Sequence, residues 1–117
     1  MKKLLIIAGL VMSSSAMAQE NIAVALCSFV AEDNRNQVRK VLSDNKLNMR
    51  NIYSNIRCNN ESLLQFAIRN DALDTGTFIV KQMPAKALAD ANYEGWAAEN
   101  GFGDNPLVNI IKTRLGE

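Results

Sequence analysis

The sequence contains no histidine among its 117 residues. This absence excludes Ser-His-Asp triads, Cys-His dyads and imidazole metal ligands. The two cysteines lack the C-x-x-C spacing of a thiol redox site, and no glycine-rich phosphate-binding motif is present. From these absences we expect a protein that is not an enzyme and that holds no metal and no cofactor.

Charge is nearly balanced, with 13 Lys and Arg against 12 Asp and Glu, a formal net charge of +1. Two of the positive residues, Lys2 and Lys3, lie in an N-terminal segment that resembles a cleavable signal, and without them the net charge is −1. A protein that binds nucleic acid or an anionic membrane mainly through charge needs a clustered basic surface. The composition therefore argues against both as the main partner.

The first 18 residues have the pattern of a secretion signal. Two lysines precede an apolar run over residues 4–12, and Ala16-Met17-Ala18 places small residues at −3 and −1 from a cleavage site before Gln19. A transmembrane anchor is the alternative, but the run is well short of the ~20 residues that span a bilayer. The sequence predicts a periplasmic or secreted protein, residues 19–117, with no stable membrane insertion after cleavage.

Cys27 and Cys58 are the only cysteines, so an intramolecular disulfide has one possible connectivity. Export would bring the pair into an oxidising compartment, which favours the bond. Closing a loop of about 30 residues stabilises a fold by roughly 3 to 4 kcal/mol in the chain-entropy model. Two buried free thiols are the alternative interpretation.

Apolar residues recur at helical spacing almost throughout residues 19–117, and alternating β-branched runs are rare. This pattern predicts one small all-α domain. We expect helices over residues 20–32, 35–44, 61–69, 72–82, 85–96 and 106–115, with Asn60 and Asn105 as two of the N-caps. Residues 45–60 are rich in asparagine and should form an ordered connection with one helical turn.

The packing residues of these helices follow from their apolar stripes, and Leu73 is counted among them. Gly76 is an interior glycine, which costs about 1 kcal/mol relative to alanine in a helix. Its presence suggests that another segment crosses closely at this point or that the helix is strained.

A weak internal repeat appears when the chain is shifted by 38 residues, which places Leu26 over Leu64, Asp33 over Asp71 and Val41 over Ile79. Each copy is a helix, a short polar break and a second helix, the unit of a helical solenoid. A chance match of two amphipathic hairpins is the alternative, because three units are normally needed to bury a stacked core.

The second copy, residues 62–71, resembles the ankyrin pattern T-P-L-H-x-A-x-x-x-G. Ser62, Leu64, Ala67 and Asp71 stand for its Thr, Leu, Ala and Gly, whereas its Pro and His are replaced. The expected fold is therefore two ankyrin-like helix-turn-helix hairpins followed by C-terminal helices.

Residues 21–84 also resemble, as a whole, an uncharacterised family of small secreted Gram-negative proteins classed as a domain of unknown function. The segments that carry this resemblance are Leu26-Cys27, Arg50-Asn51-Ile52-Tyr53, Arg57-Cys58-Asn59, Glu61-Ser62-Leu63-Leu64 and residues 74–80. The resemblance implies a periplasmic location and a paired-cysteine framework, and it implies no activity. Residues 85–117 form a C-terminal helical extension beyond it.

Helical repeats usually bind partners through a concave face and the tips of their connections. We therefore expect residues of the connection to bind another periplasmic protein or a peptide; the candidates are Arg50, Asn51, Tyr53, Asn55 and Arg57. A shared face with Arg35, Arg39, Lys40 and Arg69 would make one side of the domain basic. Scattered solvated arginines are the alternative.

Two other functions remain open at this stage. A small hydrolase acting on an envelope polymer would need two carboxyls in one cleft near Trp96, drawn from Asp90, Glu94, Glu99 and Asp104. An envelope stress or structural protein would need no ligand site. Asp104 and Asn105 supply too few oxygen ligands for a calcium loop, so helix capping explains them better.

Overall fold

The computed structural model describes the backbone of residues 14–117 and the side chains from residue 21 onward. Residues 1–13, and with them most of the predicted signal, lie outside the described residues. Within the described part there are eight α-helices and no β-strand, which confirms the predicted all-α fold. The helices are α1 Ser14–Ala31, α2 Arg35–Asp44, α3 Met49–Ile52, α4 Leu63–Arg69, α5 Leu73–Gln82, α6 Ala85–Ala91, α7 Tyr93–Glu99 and α8 Pro106–Arg114. A 3₁₀ turn, Tyr53–Asn55, follows α3.

The helices form three consecutive pairs, α1–α2, α4–α5 and α7–α8, and the members of each pair contact each other. The pairs stack, because α1 contacts α4 and α4 contacts α7, while α2 contacts α5 and α5 contacts α8. The first helices therefore make one layer and the second helices make another. The sequence predicted two such hairpins, and the structure adds a third, the number at which a stacked core becomes buried.

The first helix of every pair ends in a Schellman motif, in which an N–H bonds to the carbonyl five residues earlier. These bonds are 2.7–2.9 Å long and run from Asn34 to Phe29, from Ala72 to Ala67 and from Phe102 to Ala97. The residue within each turn has a left-handed φ, 55° at Asp33, 55° at Asp71 and 84° at Gly101. Asp33 and Asp71, which match at the 38-residue shift, thus occupy equivalent positions at the ends of two helices. Gly101 occupies the corresponding position in the third hairpin.

Gly76 lies where α8 packs against α5. A Cβ atom at this position would clash with the side chain of Leu107, which is fully buried. The predicted close approach is therefore present, and the crossing group is a leucine side chain. The absence of a side chain at Gly76 lets the second and third hairpins pack closely.

Most residues of the predicted apolar stripes are buried in one core. Among them are Leu26, Val38, Leu42, Leu63, Leu64, Ala67, Ile68, Ile79, Leu88, Tyr93, Leu107 and Ile111. Leu73 was assigned wrongly, since 42% of its surface is exposed. It lies in the first turn of α5, at the margin of the face formed by Thr75, Gly76, Ile79 and Val80.

Two further local predictions were wrong. The helix expected over residues 85–96 is divided at Asn92, which has a φ of 50° and accepts a hydrogen bond from Gly95 N at 3.2 Å, so that it caps α7. The N-cap of α4 is Ser62 instead of Asn60. Ser62 forms a capping box with Gln65, in which each side chain bonds to the other residue's backbone N–H. The Ser-x-x-Gln spacing is the sequence signal for this cap.

A disulfide joins Cys27 in α1 to Cys58 near the end of the connection, with the Cα atoms 5.7 Å apart. The predicted pairing is confirmed. The bond fastens the connection to the first hairpin, and thereby fixes the direction in which the chain enters α4. No helix within residues 14–117 is long and apolar enough to cross a membrane.

Candidate functional site

The predicted binding residues lie on the connection, residues 45–60, between the first and second hairpins. The Asn48 side chain accepts a hydrogen bond from Arg50 N at 3.1 Å and starts α3. At the other end, Cys58 and Glu61 exchange two backbone hydrogen bonds of 2.7 and 3.0 Å across a turn formed by Asn59 and Asn60. The connection is therefore ordered and contains the helical turn that the sequence predicted.

Four of the five candidates are exposed, namely Arg50, Asn51, Asn55 and Arg57. Tyr53 is only 8% exposed and belongs to the core. Its assignment to a binding surface is corrected, because its side chain packs inside the domain. The other four remain predictions.

Tyr53 holds the connection against both following hairpins. Its hydroxyl lies 2.6 Å from the hydroxyl of Tyr93 and accepts a hydrogen bond from Leu64 N at 3.1 Å. Leu64 N lies in the first turn of α4, where backbone N–H groups have no helical acceptor. Burial raises the pKa of both tyrosines, and for Tyr53 the neighbouring Tyr93 raises it further.

Two hollows border the connection on different sides, and α1 residues line both. The first, of about 280 Å³, is mainly apolar and includes Asn55 beside Ile22 and Ile52. The second, of about 330 Å³, includes Arg57, the disulfide and Val24, which is 64% exposed. Asn55 and Arg57 therefore face separate hollows, and the candidates do not converge on one cavity.

The charge of the connection is of one sign. It contains Lys46, Arg50 and Arg57 and no acidic residue. Among the described residues, the ion pairs involve none of these three side chains. The connection therefore carries three exposed cations that have no carboxylate partner among the described residues.

The other basic residues that the sequence placed on the same face contact carboxylates or aromatic rings outside the connection. Arg35 pairs with Asp74 at 3.2 Å and Lys40 with Asp44 at 2.9 Å, while Arg39 lies 6.0 Å from the Phe78 ring centroid. Arg69 donates to Glu61 from Nε at 2.9 Å and also stacks on two aromatic rings. The broader basic face considered from the sequence is thus reduced to the connection itself.

Arg69 joins the second hairpin to the third, which the sequence did not indicate. Its guanidinium lies 5.2 Å from the Phe102 ring centroid and 5.9 Å from that of Trp96, and these two rings stack at 5.9 Å. Glu61, whose side chain is only 15% exposed, neutralises the charge. The partners are too far apart in sequence for spacing to reveal the contact.

The carboxylates of the hydrolase hypothesis lie exposed around the third hairpin. Asp90 pairs with Lys86 at 3.1 Å, and Glu94 pairs with Lys112 at 3.2 Å. Glu99 and Asp104 are also exposed. Asp90 and Glu94 therefore pair with two different lysines at the surface.

Helix capping accounts for Asn105, whose side chain accepts from Leu107 N at 2.9 Å and donates to Ile68 O and Asp71 Oδ1. Across the residues with described side chains, no cluster of three His, Cys, Asp or Glu is placed to hold a metal ion.

The geometry defines an all-helical stack of three hairpins with a disulfide-fastened, cationic connection. Residues 26–90 match the family described as "Protein of unknown function (DUF3718)", and the chain belongs to this family. The match begins within α1 and extends through the second hairpin and nearly all of α6, whereas the third hairpin lies beyond it. Searches among curated proteins and among solved structures gave no match.

Proposed function

We propose that the protein is an exported, non-enzymatic helical module that binds an acidic segment of another protein or a peptide through its connection. The observation that carries this proposal is the set of three cations, Lys46, Arg50 and Arg57, without carboxylate partners among the described residues. An opposite charge on a partner would steer association and fix its orientation.

The anchoring of the connection supports the same proposal. The disulfide, the Asn48 cap and the Tyr53 hydroxyl hold its backbone in place before any partner arrives. Less conformational entropy is then lost on binding, which favours affinity. The three-hairpin stack supplies the rigid support that ankyrin-like repeats give to their connections.

Reversing the two exposed arginines tests this function. We expect Arg50→Glu with Arg57→Glu to reduce partner capture by about tenfold or more, because two cations that would attract an acidic partner are replaced by anions that repel it. The measurement is cross-linking pull-down from the periplasm with quantification by mass spectrometry. The matched control is Lys40→Glu with Lys86→Glu, which changes the charge equally at two exposed positions outside the connection and should leave capture unchanged. Equal capture by wild type and by the arginine variant would refute the proposal.

Export is the second component of the proposal, and it rests on the signal pattern of residues 1–18 together with the disulfide. Cleavage after Ala18 would leave residues 19–31 of α1. We expect the periplasmic fraction to contain a chain that begins at Gln19 and has the intact mass of residues 19–117. Ala18→Arg removes the small residue at −1 and should leave uncleaved precursor. A full-length mass in the wild-type fraction would contradict the predicted site.

A further inference from the structure

We infer that the groove between α5 and α8 is a second docking surface, and that it accepts a partner segment in which apolar side chains lie next to carboxylates. This inference deepens the proposed binding function, on which it rests, by adding a separate surface and the chemistry of its occupant. The groove lies in the layer of second helices and is lined by none of the residues of the connection.

The groove has an apolar floor. Its volume is about 320 Å³, and its lining residues are Val80, Lys81, Asn109, Ile110, Thr113 and Arg114. The exposed lining is almost entirely apolar, although only Val80 and Ile110 have aliphatic side chains. Val80 is itself only 1% exposed, so the apolar surface comes from Ile110 and from the carbon atoms of the surrounding polar side chains, among them the methylene stems of Lys81 and Arg114.

The rim of the groove is cationic. No carboxylate lines it, and neither Lys81 nor Arg114 takes part in the ion pairs of the described chain. Arg114 donates from Nη2 to Met83 O at 3.1 Å, which orients its guanidinium. By contrast, the hollow beside α7 is lined by two carboxylates, Glu94 and Glu117, and its one cation, Lys112, is paired with Glu94.

The apolar floor and the cationic rim together determine the chemistry of the segment that can bind in the groove. An apolar side chain can displace water from the floor while carboxylates beside it approach Lys81 and Arg114. A purely acidic segment would leave the apolar floor uncovered, and a basic amphipathic segment would be repelled. The groove is open to solvent, which favours a peptide segment that lies along α5 and α8 over an enclosed small molecule.

Fluorescence anisotropy with three labelled synthetic peptides tests the inference on the full mature chain. The first peptide carries Leu and Glu at helical spacing, the second has Lys in place of Glu, and the third has Ser in place of Leu. We expect only the first to bind. Lys81→Glu and, separately, Thr113→Glu change exposed residues of the groove and should each weaken that binding about tenfold. Lys86→Glu is the matched control and should have no effect.

The outcomes separate this inference from the proposed function. Loss of peptide binding in the groove variants, with full binding in the Arg50→Glu, Arg57→Glu chain, supports the second surface. No binding of the first peptide, equal binding by wild type and Lys81→Glu, or loss of binding only in the arginine variant would each overturn it. In the last case the connection alone would be the binding surface, and the proposed function would stand. Circular dichroism verifies that every variant is folded.

Discussion

Replacing Cys27 and Cys58 together with alanine is expected to lower the free energy of unfolding by about 3–4 kcal/mol. The disulfide closes a loop with a sequence separation of 31, which contains α2 and nearly all of the connection. Without it, the unfolded chain gains the conformational freedom of that loop. The loss is a large part of the ~5–15 kcal/mol that stabilises a typical domain, so the effect should be evident in urea denaturation followed by circular dichroism.

Alanine is the appropriate replacement because Cys58 is buried, and a serine hydroxyl there would add a separate desolvation cost. Reductant provides the control. It should lower the urea midpoint of the wild type toward that of the variant and leave the variant itself unchanged. Alkylation should likewise add two groups to the wild type only after reduction. A variant with the midpoint of the oxidised wild type would show that the bond does not stabilise the fold.

The helices could be predicted from the sequence wherever their signals are local. Apolar spacing located the helical segments, Asp33 and Asp71 marked equivalent turns, and an interior glycine indicated the close approach of another segment. Gly76 indicated only that some group approaches, because Leu107 is far away in sequence. The other signals lie within about one helical turn of the feature they specify. The same is true of the Ser62 to Gln65 capping box, whose spacing was present although the cap was assigned to Asn60.

The third hairpin was missed because its turn differs from the other two. Gly101 takes the left-handed conformation that Asp33 and Asp71 adopt in the earlier hairpins, and it lies 30 residues after Asp71 instead of 38. A self-comparison at one fixed shift cannot detect it. The division of the predicted helix at Asn92 obscured the start of the unit as well.

The candidate site was harder to predict because its geometry depends on contacts between distant residues. Tyr53 lies in a polar, asparagine-rich stretch, which is typical of a surface segment. It is buried because its hydroxyl meets Leu64 N and the hydroxyl of Tyr93, 40 residues away. The contacts of Arg69 were missed for the same reason, since its ring partners lie in the third hairpin.

Tyr53→Ala is the substitution expected to destabilise the fold most, by about 3–5 kcal/mol, because it removes a buried aromatic ring from the junction of the connection with the core. Tyr53→Phe keeps the ring and removes only the hydroxyl. It should cost about 1–3 kcal/mol, since Leu64 N loses its acceptor inside the protein. Urea denaturation of the two variants separates the contribution of the ring from that of the hydroxyl.

Tyr93→Phe is the matched control for the hydroxyl and for its titration. It leaves the Leu64 N contact to Tyr53 intact, so it should cost less than Tyr53→Phe.

Burial favours the neutral form of both tyrosines and raises each pKa in the folded state, so the unfolded chain loses these protons first as pH rises. Stability from this source is fully present below a pH of about 10 and declines above it, by up to about 1.4 kcal/mol per pH unit for each tyrosine. The double variant Tyr53→Phe with Tyr93→Phe lacks both hydroxyls, and its free energy of unfolding should decline less steeply with rising pH than that of the wild type. Parallel declines would mean that the paired hydroxyls are not held neutral by burial.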